Sequence, residues 1–130
     1  MSVIDTIDPA LLDNTIAVLT TIGRDGDPQM TAVWFLVEGD RILVSAAARR
    51  QKTKNLAANP TCSLLIFHPE SVDYYVEMRG TAQLIDDAAY EIADRIGARY
   101  GADFRTFDGP NDHRLIIAFE PKRALVTDVR

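Results

Sequence analysis

The chain has 130 residues, 47% hydrophobic and 25% charged, with a formal net charge of -5, the profile of one ordinary globular domain over residues 1–130. Its single cysteine, Cys62, excludes an internal disulfide or a Cys-based metal site and fits a reducing compartment such as the cytoplasm. The acidic balance argues against nucleic-acid binding, and neither a signal-peptide pattern nor an apolar run near the ~20 residues of a membrane helix is present.

Taken in chain order, Asp8-Pro9 followed by Ala10, Leu11 and Leu12 predicts a short capped helix. TIAVLTTIG (15–23) is rich in β-branched residues and predicts a strand. Asp25-Gly26 centres a turn, and MTAVWFLV (30–37) predicts a second strand, apolar on both faces and hence central. A tight turn at 38–41 leads to a third strand, ILVSAA (42–47), completing a meander. A helix is expected over 51–58, stopped by Asn59-Pro60. TCSLLIFH (61–68) predicts a buried fourth strand. A long strand over 72–85 alternates Tyr74, Val76 and Met78 against Tyr75, Glu77 and Arg79, with a bulge or bend at Gly80.

Residues 86–104 predict the clearest helix, capped by Asp86 or Asp87, with Ala89, Ile92, Ala93, Ile96 and Tyr100 as its apolar stripe and Gly101 as its stop. A loop over 105–112 and two closing strands, 113–121 and 123–129, complete the chain. The order αβββαββαββ, with tight turns inside the βββ runs, excludes a doubly wound parallel sheet. It predicts a mostly β fold, an antiparallel barrel of six or seven strands with helices packed outside.

One stretch departs from the acidic background. Arg49, Arg50, Lys52 and Lys54 stand within six consecutive residues. A charge run is usually a solvated helix face. Here it lies where a strand gives way to a helix, beside free N–H groups and the positive end of the dipole, after the small residues Ser45, Ala46, Ala47 and Ala48. That pattern predicts an anion site, suited to a phosphate. No Gly-rich Walker pattern accompanies it.

His68 and His113 share no metal-ligand spacing, and Cys62 in an apolar strand reads as a buried, inert thiol. Trp34 either fills the core or flanks a planar ligand. No nucleophile with its base can be read, so any chemistry is expected to reside in a bound, phosphate-bearing redox cofactor.

IAVLTTIGRDGDPQMTAVWFLV, RRQKTKNLAANPTCSLLIF and YYVEMRGTAQLIDD, in this order and spacing, resemble the split β-barrel superfamily of pyridoxamine 5′-phosphate oxidase. They look closest to its small deazaflavin reductases, which use coenzyme F-420. The resemblance implies that Arg50 and Lys52 hold the cofactor phosphate, with Asn55 in support. It implies that Thr31, Ala32, Val33 and Trp34 lie along the ring system and that Ser45 approaches the ribityl or phosphate region. It implies a homodimer with cofactor sites at the interface, Tyr75 reaching the partner's cofactor. Many flavin-using relatives carry a threonine near position 46 and a second basic residue on the strand of residues 30–34; both are missing here. F-420 is therefore expected ahead of FMN.

The expected activity is hydride transfer from reduced F-420 to an unsaturated or conjugated small-molecule acceptor. The alternatives are an FMN-dependent oxidoreductase on the same fold and a non-catalytic flavin or deazaflavin carrier.

Overall fold

A computed structural model describes residues 2–14 and 16–130. The first helix, α1 (Pro9–Leu12), is capped by Asp8, whose carboxylate accepts from the Ala10 N–H at 3.0 Å. Seven strands follow: β1 (Ala17–Ile22), β2 (Pro28–Val33), β3 (Leu36–Glu38), β4 (Arg41–Ala47), β5 (Thr61–His68), β6 (Ser71–Asp86) and β7 (Arg114–Asp128). Two more helices, α2 (Gln51–Ala58) and α3 (Glu91–Tyr100), interrupt them. Thr15, the first residue of the predicted first strand, lies outside the described residues.

All strand pairs are antiparallel, in the order β2-β1-β5-β6-β7-β4-β3. The two ends of that order, β2 and β3, are separated in sequence only by Trp34 and Phe35, so the sheet curls until its edges are joined through two residues. Inside the curl sit Leu19, Phe35, Ile42, Leu64, Ile66, Val76, Met78, Ile117 and Phe119, all fully buried.

The predicted second strand, 30–37, is thus corrected to two edge strands. Its apolar run is continuous in sequence, but the backbone breaks at Trp34-Phe35 to leave one sheet edge and join the other. The side chains of β2 alternate in exposure, and Met30 is 70% exposed, so this strand is not central.

The two predicted closing strands are one. β7 runs through Pro121-Lys122, and its register against β6 shifts between Arg79 and Gly80, leaving Lys122 as the extra residue. Gly80 is required there because a Cβ would come within 2.1 Å of the Glu120 carbonyl oxygen.

The third helix is shorter than predicted. Asp86 ends β6, and Ala89 is exposed rather than part of the stripe. Asp87 is the cap in effect: its buried carboxylate accepts from the N–H groups of Ile92 and Ala93 at 3.2 and 2.9 Å. Ile92, Ala93 and Ile96 pack in a second cluster with Leu43, Phe104 and Ile116, under Trp34 and Tyr100. Gly101, at φ 68°, terminates the helix in the left-handed conformation.

Candidate functional site

The chain leaves β4 through small residues and enters α2 with Arg50 at the N-cap, where no side chain caps the helix. The Thr53 hydroxyl donates instead to the Ala47 carbonyl at 3.0 Å, closing the turn between strand and helix. The charges then diverge. Arg49, Arg50 and Lys54 are exposed, whereas Lys52 is buried at 7% exposure. Burial, with Arg50 and Arg114 nearby, lowers the Lys52 pKa below the ordinary lysine value.

Two adjoining cavities share Arg49, Arg50 and Lys52. One, of about 440 Å³, is walled by Ala32, Val33 and Trp34 from β2 and its exit, by Ser45, Ala46 and Ala47 from β4, and by Phe104, Phe107, Asp108 and Arg114. The other, of about 430 Å³, is walled by Gln29, Thr31 and Gln51. Both lie in the size range of cofactor and small-molecule sites.

The cations are not equivalent. Arg114 is paired with Asp108, both side chains buried, and Arg49 is paired with Asp112 at 2.7 Å. Among the described residues, Arg50 and Lys52 have no ion pair and no side-chain hydrogen bond. Two unneutralised cations facing two cavities, one of them buried, leave a site that favours an anion.

Arg114 anchors a further network. Its Nε donates to Asp108 at 3.0 Å, its Nη2 to the other carboxylate oxygen, and its Nη1 to Ser45 Oγ at 3.3 Å. The Tyr90 hydroxyl donates to Asp108 at 2.6 Å. Hydrogen bonding from Arg114, reinforced by Tyr90, holds the Asp108 pKa below the ordinary carboxylate value, and its bond to Asp108 raises that of Tyr90.

Trp34 packs against other aromatic rings and also borders the cavity. One face stacks on Tyr100, with centroids 4.8 Å apart, and Phe104 meets its edge at 5.7 Å, while the residue still lines the cavity.

The structure therefore brings Ala32, Val33, Trp34, Ser45, Arg50 and Lys52 to one cavity and Thr31 to its neighbour. Asn55 borders neither. It is a buried strut, donating to Thr21 Oγ1 at 3.0 Å and to Gln29 at 3.4 Å, and accepting from Gln51 at 2.7 Å. Tyr75, on β6, is also away from both cavities, packed edge-on against Phe67 of β5. Sequence reasoning named none of Phe104, Phe107, Asp108 and Arg114 singly, although Phe107 and Asp108 lie in the predicted loop over 105–112, a candidate for substrate choice, and Arg114 is a charge at the head of the apolar run LIIAF.

His68 and His113 stand outside the cavities, and no cluster of metal-ligating side chains occurs among the described residues. Among the described residues, no helix is long and apolar enough to cross a membrane.

A phosphate-bearing flavin-type cofactor fits these residues. The unpaired Arg50 and Lys52 would suit a phosphate, and the small Ser45, Ala46 and Ala47 leave a wall that a ring or ribityl chain could approach. The Thr31 hydroxyl oxygen, buried without a hydrogen-bond partner among the described residues, lacks the partner that a polar ligand would supply.

Comparison with known proteins agrees with the fold. The pyridoxamine 5′-phosphate oxidase family matches residues 3–128. An F-420 reductase of known structure is 28% identical, with a TM-score of 0.78 over 89% of this chain and 94% of that one. A conserved hypothetical protein of Mycobacterium tuberculosis is 23% identical, with a TM-score of 0.78 over 100% and 86%. The heme storage protein HutZ of Vibrio cholerae shares the fold at 16% identity, with a TM-score of 0.74 over 98% and 96%.

Proposed function

The chain belongs to the pyridoxamine 5′-phosphate oxidase family, which includes flavin- and deazaflavin-binding oxidoreductases, and on that premise we propose that it is an F-420-dependent reductase. Arg50 and Lys52 would hold the cofactor phosphate. Thr31, Ala32, Val33 and Trp34 would border the ring system, and Ser45 the ribityl chain. When bound, reduced F-420 supplies a hydride, because deazaflavin has carbon where flavin has N5; the acceptor is an unsaturated or conjugated organic molecule. The protein's own part is to grip the anion, to present an apolar and aromatic wall to the ring, and to exclude water from it.

The observation that carries this reading is the pair of unneutralised cations, Arg50 and the buried Lys52, shared by two adjoining cavities. FMN is the second reading, and the same two charges favour it, since a phosphate monoester carries close to two negative charges at neutral pH. The likeness to an F-420 reductase at 28% identity puts the deazaflavin first. Parallel calorimetric titrations with F-420 and FMN decide between them, and tighter binding of FMN would reverse the order. A carrier would bind reduced F-420 yet fail to oxidise it with any electrophilic alkene.

The chain is further proposed to act in the cytoplasm as a homodimer, with cofactor sites at the interface and Tyr75 turned towards the partner's cofactor. Light scattering on the cofactor-loaded protein tests this, and a stable monomer contradicts it.

A further inference from the structure

The chain contains two Asp-Gly steps, Asp25-Gly26 and Asp108-Gly109, and the fold treats them in opposite ways. An aspartyl side chain can be attacked by the amide nitrogen of the residue that follows it. Glycine, with no side chain of its own, leaves that nitrogen least shielded. Whether the attack takes place depends on how firmly the carboxyl group and the nitrogen are held.

At Asp108 both are held. The carboxylate accepts from Arg114 Nε at 3.0 Å, from its Nη2 and from the Tyr90 hydroxyl at 2.6 Å, and the side chain is only 4% exposed. The Gly109 N–H donates to Asp112 at 2.9 Å. Hydrogen bonding from Arg114 also keeps the Asp108 carboxyl ionised to lower pH than usual. A carboxylate resists attack because it has no hydroxyl to lose.

At Asp25 the carboxylate is unrestrained. Arg24, Asp25 and Gly26 are the exposed tip of the hairpin of β1 and β2, closed by the Gly23 N–H on the Asp27 carbonyl at 2.7 Å. Gly26 completes this three-residue loop in the left-handed conformation, at φ 83°. Among the described residues the Asp25 carboxylate has no hydrogen bond and no ion pair. Nothing stands within 4 Å of the point that a Gly26 Cβ would occupy. The Gly26 N–H does donate to the Gly23 carbonyl, at 2.9 Å. That bond lies at the tip of a hairpin whose outer strand, β2, is paired on one side only, so it opens locally at small cost.

We propose that Asp25 is a modification site, at which the folded chain converts slowly from aspartate to isoaspartate, while Asp108 is protected. The Gly26 nitrogen forms a bond to the Asp25 side-chain carboxyl carbon and gives up its proton, and water leaves. The product is a cyclic imide, which water then opens. Attack at the side-chain carbonyl restores aspartate. Attack at the main-chain carbonyl gives isoaspartate, with the main chain routed through the side-chain methylene and the α-carboxylate left free. One water leaves and one returns, and nothing is oxidised or reduced. The lengthened main chain cannot keep the hydrogen bonds of Gly23 and Gly26 together, so β2 loosens. Gln29 and Thr31, which wall the smaller cavity, lie on that strand.

The test uses the full chain without ligand, held in warm, mildly acidic buffer made with heavy-oxygen water. Electron-transfer mass spectrometry of its peptides then distinguishes isoaspartate from aspartate, and each opening of the imide leaves one heavy oxygen in the residue. Both signals should accumulate at Asp25 at least about tenfold faster than at Asp108, where a buried ion pair must first be broken. In guanidinium chloride the difference should be lost, since the two steps are then equally free. Asp25→Glu, which keeps the charge but moves the carboxyl group one methylene further, should abolish the modification at that position. In the isomerised fraction, separated chromatographically, the amides of β2 should exchange hydrogen faster than in the parent chain. Absence of isoaspartate at Asp25 in the folded chain, equal accumulation at Asp108, persistence of the difference in guanidinium chloride, heavy oxygen at this position in Asp25→Glu, or unchanged exchange in β2 would overturn the proposal.

Discussion

Trp34 lies flat on Tyr100, their planes 8° from parallel, and the Tyr100 hydroxyl reaches past it to the backbone of Phe35. The Phe35 N–H donates to that hydroxyl at 3.1 Å, and Arg99 donates to the Phe35 carbonyl at 2.6 Å. Two neighbours on α3 thus hold the two residues at which the chain passes from one sheet edge to the other. Tyr100→Phe keeps the stack and removes the hydroxyl. It should cost about 1–2 kcal/mol by leaving the Phe35 N–H unpaired, read as a lowered midpoint in urea unfolding. Tyr100→Ala also removes the stack and should cost about 3–5 kcal/mol, the scale of a large aromatic truncation.

This junction shows where the sequence stops being legible. Strand positions, turn residues, the Asp8 cap and the αL stop at Gly101 depend on neighbours a few residues away, so local chemistry announces them. The break at Trp34-Phe35 depends on Arg99 and Tyr100, about 65 residues further on, and MTAVWFLV carries no local sign of it. The candidate site divides in the same way. Arg50 and Lys52 are conspicuous as charges on an acidic chain, and Ser45 to Ala47 as small residues beside them. Asp108 and Phe107 sit in a loop of unremarkable composition and reach the cavity only because β7 begins with Arg114 and draws Asp108 onto it. Asn55 is polar and beside the cations, but its partners on β1 and β2 were set by folding, not spacing.

At Gly80 the crossing of β6 and β7 leaves no room for a side chain. The Cβ of an alanine would meet the Glu120 carbonyl oxygen at 2.1 Å and the Pro121 Cα at 3.0 Å, both backbone atoms that cannot swing aside. Gly80→Ala should therefore destabilise by about 1–3 kcal/mol, as overpacking does. Thermal unfolding checks this, and a melting temperature equal to that of the parent chain would show that the bulge yields freely.

Cys62 faces the core of β5, and burial pushes its thiol pKa up to about 12. The thiolate is the nucleophile, so the folded chain should resist iodoacetamide near neutral pH. Mass spectrometry should find Cys62 unmodified until denaturant is added. Rapid labelling of the native chain would mean that this strand opens readily.

Lys52 joins stability to binding through one proton. Burial and the neighbouring Arg50 and Arg114 lower its pKa in the folded chain, so below that pKa folding carries the cost of a buried positive charge. Raising the pH through the folded pKa towards the ordinary lysine value relieves that cost. The unfolded chain then binds more protons than the folded one, and stability rises. Anion binding has the opposite sign. It needs the ammonium, so affinity for a phosphate-bearing ligand should decline as pH rises through the lowered pKa of Lys52, earlier than for an ordinary exposed lysine. A bound anion pulls the proton back onto Lys52, so binding at the alkaline end should take up a fraction of a proton, measurable as a buffer-dependent calorimetric enthalpy. Lys52→Ala should weaken F-420 binding by about 1.5–3 kcal/mol at neutral pH, the scale of a charge-assisted hydrogen bond, and should flatten the alkaline decline. The same substitution should spare the fold, because it removes a buried charge that no carboxylate neutralises. If affinity in Lys52→Ala kept both its neutral-pH value and its alkaline decline, the buried ammonium would have no part in holding the anion.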